Sequence, residues 1–228
     1  MFGLDDSIAS ASDGTSLWLV ALVAILLGLR HATDPDHVTA VTTLVASTQD
    51  RATRRAAALG AAWGLGHALA LFAFGLPLLL FGAALPDTVQ RLAETAVALL
   101  IVGLAVRLLV RWRGGRLVVH PHPHAHGART ASGAFGIGLV HGMGGSAGVG
   151  VLIVASVATT SLAVVALALL AACTAVSMTL LTTGFGRALV SRPVRAAFGA
   201  VAPALGAGGL AFGLWYGGAA WSVFPYPF

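Results

Sequence analysis

Arg30-His31-Ala32-Thr33-Asp34-Pro35-Asp36-His37 places five ionisable side chains within eight positions, between apolar runs at 16–29 and 38–46. Charged and titratable groups inside a bilayer are costly, and where a chain keeps them they mark function. A solvated loop following a span that stops at Leu29 is the competing explanation. The run 38–46 argues against it, because it is apolar, too short to cross a membrane alone, and carries the chain back toward the bilayer. The octet therefore reads as the interruption of one long span over 16–46.

The geometry of the octet depends on Pro35. In a regular helix of 3.6 residues per turn, His31 and His37 lie about 600° of rotation apart and so on different faces. The pairs His31/Asp34 and Asp34/His37 share a face, and Asp36 points away from it. Proline removes a backbone donor and clashes with the preceding turn. A kink or unwound turn at Pro35 then brings His31, Asp36 and His37 together, and irregular backbone at membrane depth is tolerated where it lines a polar cavity. Arg30 is placed to neutralise Asp34 or another carboxylate of the group.

The whole chain has the composition of a membrane protein. It has 228 residues, 57% of them hydrophobic and 9% charged, and a mean hydropathy of +0.90. Soluble domains carry roughly 25% charged residues. Spans of about 20 apolar residues are needed to cross a bilayer, and six stretches qualify: 16–46, 56–84, 89–112, 132–157, 160–184 and 196–222. The expectation is an all-α polytopic membrane protein, residues 1–228 forming one transmembrane domain, with its first helix broken near Pro35. The acidic N-terminal tail (Asp5, Asp6, Asp13) has the wrong sign for a secretory leader, so the first span is expected to be retained.

All 13 basic residues are arginine. Arg51, Arg54 and Arg55 follow the first span; Arg107, Arg111, Arg113, Arg116 and Arg129 surround the loop after the third; Arg187, Arg192 and Arg195 follow the fifth. Their confinement to short gaps argues against nucleic acid as a partner and, by the positive-inside bias, puts loops one, three and five in the cytoplasm. Both termini are then outside, which the even number of spans also requires. The expected location is the cytoplasmic membrane of a bacterium. Gly28-Leu29-Arg30-His31 and Gly138-Leu139-Val140-His141 form a faint internal echo. A three-plus-three inverted repeat would put them in equivalent places of opposite orientation.

Two further histidines lie in spans, His67 in the second and His141 in the fourth, both flanked by glycines that permit close helix approach. Either one alone is explained by a bond to a neighbouring carbonyl; together with the octet they suggest one inner site of His31, Asp34, Asp36, His37, His67 and His141. Thr33 and Ser146 are weak oxygen candidates, and Met143 reads as packing. Glu94, the single glutamate, sits near the outer end of the third span as an interfacial group, a partner of Arg91, or a proton carrier. Cys173 excludes an internal disulfide and reads as packing. Imidazole with carboxylate suits nickel, cobalt and zinc. The lack of thiolate and thioether ligands argues against copper(I), and the histidines argue against a magnesium or calcium cage. Separately, His120, His122, His124 and His126 alternate with Pro and Ala in the loop 113–131, expected to be cytoplasmic; an extended chain presents all four on one side, as a metal-capture tract or as a solvated linker.

The motif His31, four residues, then Asp36-His37 resembles the first signature of the nickel/cobalt transporter (NiCoT) superfamily. The strings at 29–43, 63–71 and 138–148 look most like its shorter, urease-accessory-like branch. That resemblance implies selective divalent-metal transport, a selectivity site at His31, Asp36 and His37, and a match of His67 to the family's Gly-His motif. The chain departs from larger members, which have eight spans, an Asp-Asn pair where Val41-Thr42-Thr43 stands, and an acidic motif where His141-Gly142-Met143-Gly144 stands. No nucleotide-binding loop is present, so energy for transport of Ni2+ or Co2+ would come from an ion gradient or a partner subunit. No permanent cofactor and no enzyme activity are expected, and a homo-oligomer is compatible with the chain. Export by the same fold, or metal delivery to urease or hydrogenase without transport, are the alternatives.

Overall fold

The protein is described by a computed structural model over residues 4–46, 53–81, 86–115, 130–144 and 159–225. The described residues are helical and contain no strand: α1 Leu4–His31, α2 Pro35–Ala46, α3 Thr53–Phe81, α4 Asp87–Arg113, α5 Ala131–His141, α6 Thr160–Val190, α7 Arg192–Ala196 and α8 Phe198–Ala220. Four of them contain stretches long and apolar enough to cross a membrane: Ala56–Phe81, Asp87–Arg113, Thr160–Leu189 and Phe198–Ala220. A fifth crossing is available to the pair Trp18–His31 and Pro35–Ala46, which bends by 45° at its break. The all-helical, multi-pass reading holds. The expected fourth span, 132–157, enters as α5, and its continuation lies outside the described residues, as does the tract His120, His122, His124 and His126.

Burial follows the logic of lipid rather than water. Leu19, Leu22 and Leu26 on α1, Leu65 and Leu69 on α3, Leu99 and Val110 on α4, and Leu180 on α6 are all more than half exposed. Meanwhile Asp36, His37, His67 and His141 are fully buried. Exposed aliphatic faces of this extent mark contact with an apolar phase.

The break in the first span has a local cause. The residue before a proline is pushed out of the helical region, and Pro35 has no N–H to continue α1. α1 ends in turn hydrogen bonds, Thr33 N to Arg30 O at 2.8 Å and Asp34 N to His31 O at 3.1 Å. α2 then starts with Pro35 in its first turn, where its fixed φ favours a helix, and Val38 N donates to Asp34 O at 3.0 Å.

Helix pairs pack through glycine, two of them in matching fashion. A Cβ on Gly28 would lie 2.6 Å from Leu170 O and 3.1 Å from Thr174 N, so α1 meets α6 backbone to backbone. Gly138 meets Trp63 O in the same way and would put a Cβ 2.9 Å from His67 N, joining α5 to α3. In both cases the glycine faces the carbonyl of one residue and the amide four residues on. Register shows the direction. Ser177 Oγ donates to Leu29 O at 2.6 Å, one turn beyond the Gly28 contact, so α1 and α6 run parallel. Gly142 adjoins Ala70, one turn beyond the Gly138 contact, so α5 and α3 also run parallel. α3 and α6 run antiparallel, since Gly60 adjoins Thr182, Gly64 adjoins Ala175 and Gly186 adjoins Ala56. α1 and α5 therefore point in opposite directions. α4 and α8 close the bundle as an antiparallel pair, with Gly206 against Leu109 and Gly217 against Ala98.

Candidate metal site

His31 is the last residue of α1, and Asp36 and His37 lie in the first turn of α2. His67 stands at the middle of α3, and His141 is the last residue of α5. At 1.5 Å per residue, the break between α1 and α2 lies roughly 20 Å from Trp18 and 18 Å from Ala46. His31, Asp36, His37 and His67 thus stand midway along the apolar lengths that carry them. The ring of His37 is central, its centroid 4.5 Å from His31, 4.8 Å from His67 and 4.4 Å from His141.

Hydrogen bonds fix which ring nitrogens remain available. A carboxylate only accepts, so the imidazole nitrogen facing it carries the proton. His31 Nδ1 donates to Asp34 Oδ2 at 3.0 Å, and His37 Nδ1 donates to Asp36 Oδ1 at 2.9 Å. Both rings therefore turn their Nε2 lone pairs inward. His31 Nε2 lies 2.9 Å from His67 Nε2; the two share a proton or, with both nitrogens bare, converge on a cation. His141 Nε2 donates to the second oxygen, Asp36 Oδ2, at 3.1 Å. His37 Nε2, His67 Nδ1 and His141 Nδ1 are buried and find no hydrogen-bond partner. Buried polar atoms are nearly always satisfied, so three unpartnered imidazole nitrogens in one cluster point to a ligand.

Two sets of three have donor atoms close enough to hold one ion, all within 4.8 Å of one another: His31, His37 and His67, and Asp36, His37 and His141. A carboxylate on the far nitrogen of a ligating histidine fixes its tautomer and orientation. Asp34 and Asp36 occupy that position for His31 and His37.

All six intramembrane candidates are accounted for. His31, Asp36, His37, His67 and His141 meet in one cluster, and Asp34 backs it from the edge, its side chain 14% exposed. Arg30 is exposed, and its Nη2 lies 3.9 Å from Asp34 Oδ1. Thr33 turns its hydroxyl onto Arg30 O at 2.6 Å and away from the cluster, and Ser146 lies outside the described residues. Glu94 belongs elsewhere: it is buried on α4 and accepts from Gln90 Nε2 at 3.0 Å. It lines a cleft of roughly 730 Å³ with Asp87, Arg91 and Phe224, while Arg91 lies over the Trp221 ring at 5.9 Å. Cys173 packs against Gly28.

Trp63 is the residue that sequence reading gave no role. It is fully buried, its ring 5.9 Å from His37 and 5.7 Å from His141, and it walls the cluster from the rest of the core. Its spacing from His67 is the signal, since residues four apart share a helix face.

Comparison with known proteins agrees with the motif. Residues 17–119 match the family model described as NicO, high-affinity nickel-transport protein. The urease accessory protein UreH of Bacillus sp. (strain TB-90) is 28% identical over 154 residues, which cover 64% of this chain and 66% of that protein. The aligned part is thus just under two thirds of that relative. No solved structure matches. These matches agree with the resemblance read from the motif at 31–37: residues 17–119, which hold all of α2, α3 and α4, match the model described as a high-affinity nickel-transport protein.

Proposed function

We propose that this protein carries a divalent transition metal, nickel before cobalt, across the cytoplasmic membrane of a bacterium as a secondary transporter. The observation that carries the reading is the cluster of four buried histidines from four helices, with three unpartnered ring nitrogens and carboxylates behind two of the rings. Imidazole-rich sites suit nickel, cobalt and zinc, and the family match favours nickel. The metal would exchange its water for His31, His37 and His67, with Asp36 and His141 completing or steadying the shell. The loop histidines His120, His122, His124 and His126 would concentrate metal on the cytoplasmic side, and both termini would lie outside. The reaction is translocation, with the metal as cargo.

Radioactive nickel flux into proteoliposomes tests the reading. The wild type should accumulate nickel, and His37→Ala should abolish it. Equal flux in both would remove the cluster from the path. A second reading, metal delivery to an enzyme without transport, is favoured by the name of the relative, a urease accessory protein. It requires stoichiometric nickel binding with no flux in the wild type.

A further inference from the structure

We propose that the cluster holds two overlapping cargo positions that share His37, one formed by His31, His37 and His67 and the other by Asp36, His37 and His141, and that cargo crosses by exchange between them. The inference rests on the metal-cargo reading above and deepens it.

Geometry separates the two positions. In the first, His31 Nε2 and His67 Nε2 are 2.9 Å apart. In the second, Asp36 Oδ2 and His141 Nε2 are 3.1 Å apart, joined in the metal-free state by the Nε2 proton, which moves to the unpartnered Nδ1 when a metal takes its place. Neighbouring ligands at right angles about a metal with bonds of about 2.1 Å stand about 3.0 Å apart, so each pair has the spacing of one edge of a coordination shell. His37 is the residue common to both sets, with His31 and His141 at nearly equal distances from it, 4.5 and 4.4 Å between ring centroids. Two dications this close repel strongly in a poorly screened interior, so one position fills at a time.

The fold supplies an opposed approach. α1 ends at His31 and α5 ends at His141, and the two helices run in opposite directions, each seated by a glycine three residues earlier on a neighbour's backbone. Each therefore turns the negative, carbonyl end of its dipole toward the cluster, which favours a cation there. One histidine arrives from each side of the membrane. Exposure sets His31 apart: it is 8% exposed beside the partly open Asp34, while Asp36, His37, His67 and His141 are at 0%. A single tight site holds its cargo; two sites with a common ligand let a bond form in the second before the last bond of the first breaks, which eases release.

Cobalt(II) is the probe, with the full chain in detergent micelles, equilibrium dialysis for affinity and visible ligand-field absorption for geometry. Near-isosteric His67→Gln and His141→Gln each disable one position. Each should still bind one cobalt per chain, weakened by about 10-fold, while His37→Ala should lose about 100-fold. The two glutamine variants should give different ligand-field spectra whose weighted sum reproduces the wild type. Both should lose most cobalt flux in proteoliposomes although they still bind. Identical spectra, or loss of binding in each as deep as in His37→Ala, would overturn the two positions in favour of one four-histidine site and leave the transport reading standing. Wild type that binds no cobalt or nickel sinks both. Should a glutamine variant fail to purify as a folded protein, the wild-type spectrum decides alone. Two interconverting components on changing temperature support the proposal, and a single invariant component overturns it.

Discussion

Asp36 accepts from two imidazoles, His37 Nδ1 through one oxygen and His141 Nε2 through the other. A fully buried carboxylate is tolerated only with such compensation. Asp36→Asn keeps the shape but presents an amide N–H to one of the two ring N–H groups. That ring must turn or change tautomer, and cobalt affinity is expected to fall about 10- to 100-fold with the fold retained. Competition dialysis and thermal unfolding on one preparation check this; unchanged affinity would mean the rings hold themselves. The residue types of the site were readable because each is out of place: an ionisable group inside an apolar run has few reasons to be there. Trp63 was not readable, because a tryptophan in a span has many.

At the scale of elements, Gly28 and Gly138 decide how closely α1 and α5 approach their neighbours. A methyl group on Gly138 overlaps the carbonyl of Trp63, so α5 must back away from α3 and carry His141 off Asp36. Gly138→Ala is expected to destabilise by about 1–3 kcal/mol, as overpacking does, and to lower nickel flux. Gly103→Ala is the control. Nothing lies within 4 Å of its added Cβ, and the better helix propensity of alanine should be neutral or stabilise by about 0.5–1 kcal/mol. Thermal unfolding in micelles separates the two, and equal effects would deny the close contact its importance. The broken first helix was legible from Pro35 alone, since the proline acts through its own ring and missing N–H. The match between the α1–α6 and α5–α3 contacts was not: Gly-Leu-x-His is too short to specify which backbone a glycine touches.

For the whole molecule, the arginine bias predicts which loops face which side. In a background of Cys173→Ala, a cysteine at Thr88 should react with a membrane-impermeant maleimide in intact cells, because the loop between α3 and α4 is expected outside. A cysteine at Ser132, beside the arginine-rich loop, should react only after permeabilisation. The reverse pattern would invert the topology and with it the side on which the loop histidines wait.

The sequence alone makes the chain helical and membrane-embedded, breaks its first span at Pro35, and sets His and Asp side chains inside apolar runs. Those properties follow from local causes: hydropathy summed along a span, the missing N–H of Pro35, and the cost of placing His and Asp among leucines. Helix packing brings His67 and His141, distant in sequence from the octet, to His37, and turns Asp36 to bridge two rings although a straight helix aims it away. It also set the opposed directions of α1 and α5. These are properties of packing between helices, where glycine contacts fix approach and register. Periodicity within one helix cannot specify the neighbour it will meet.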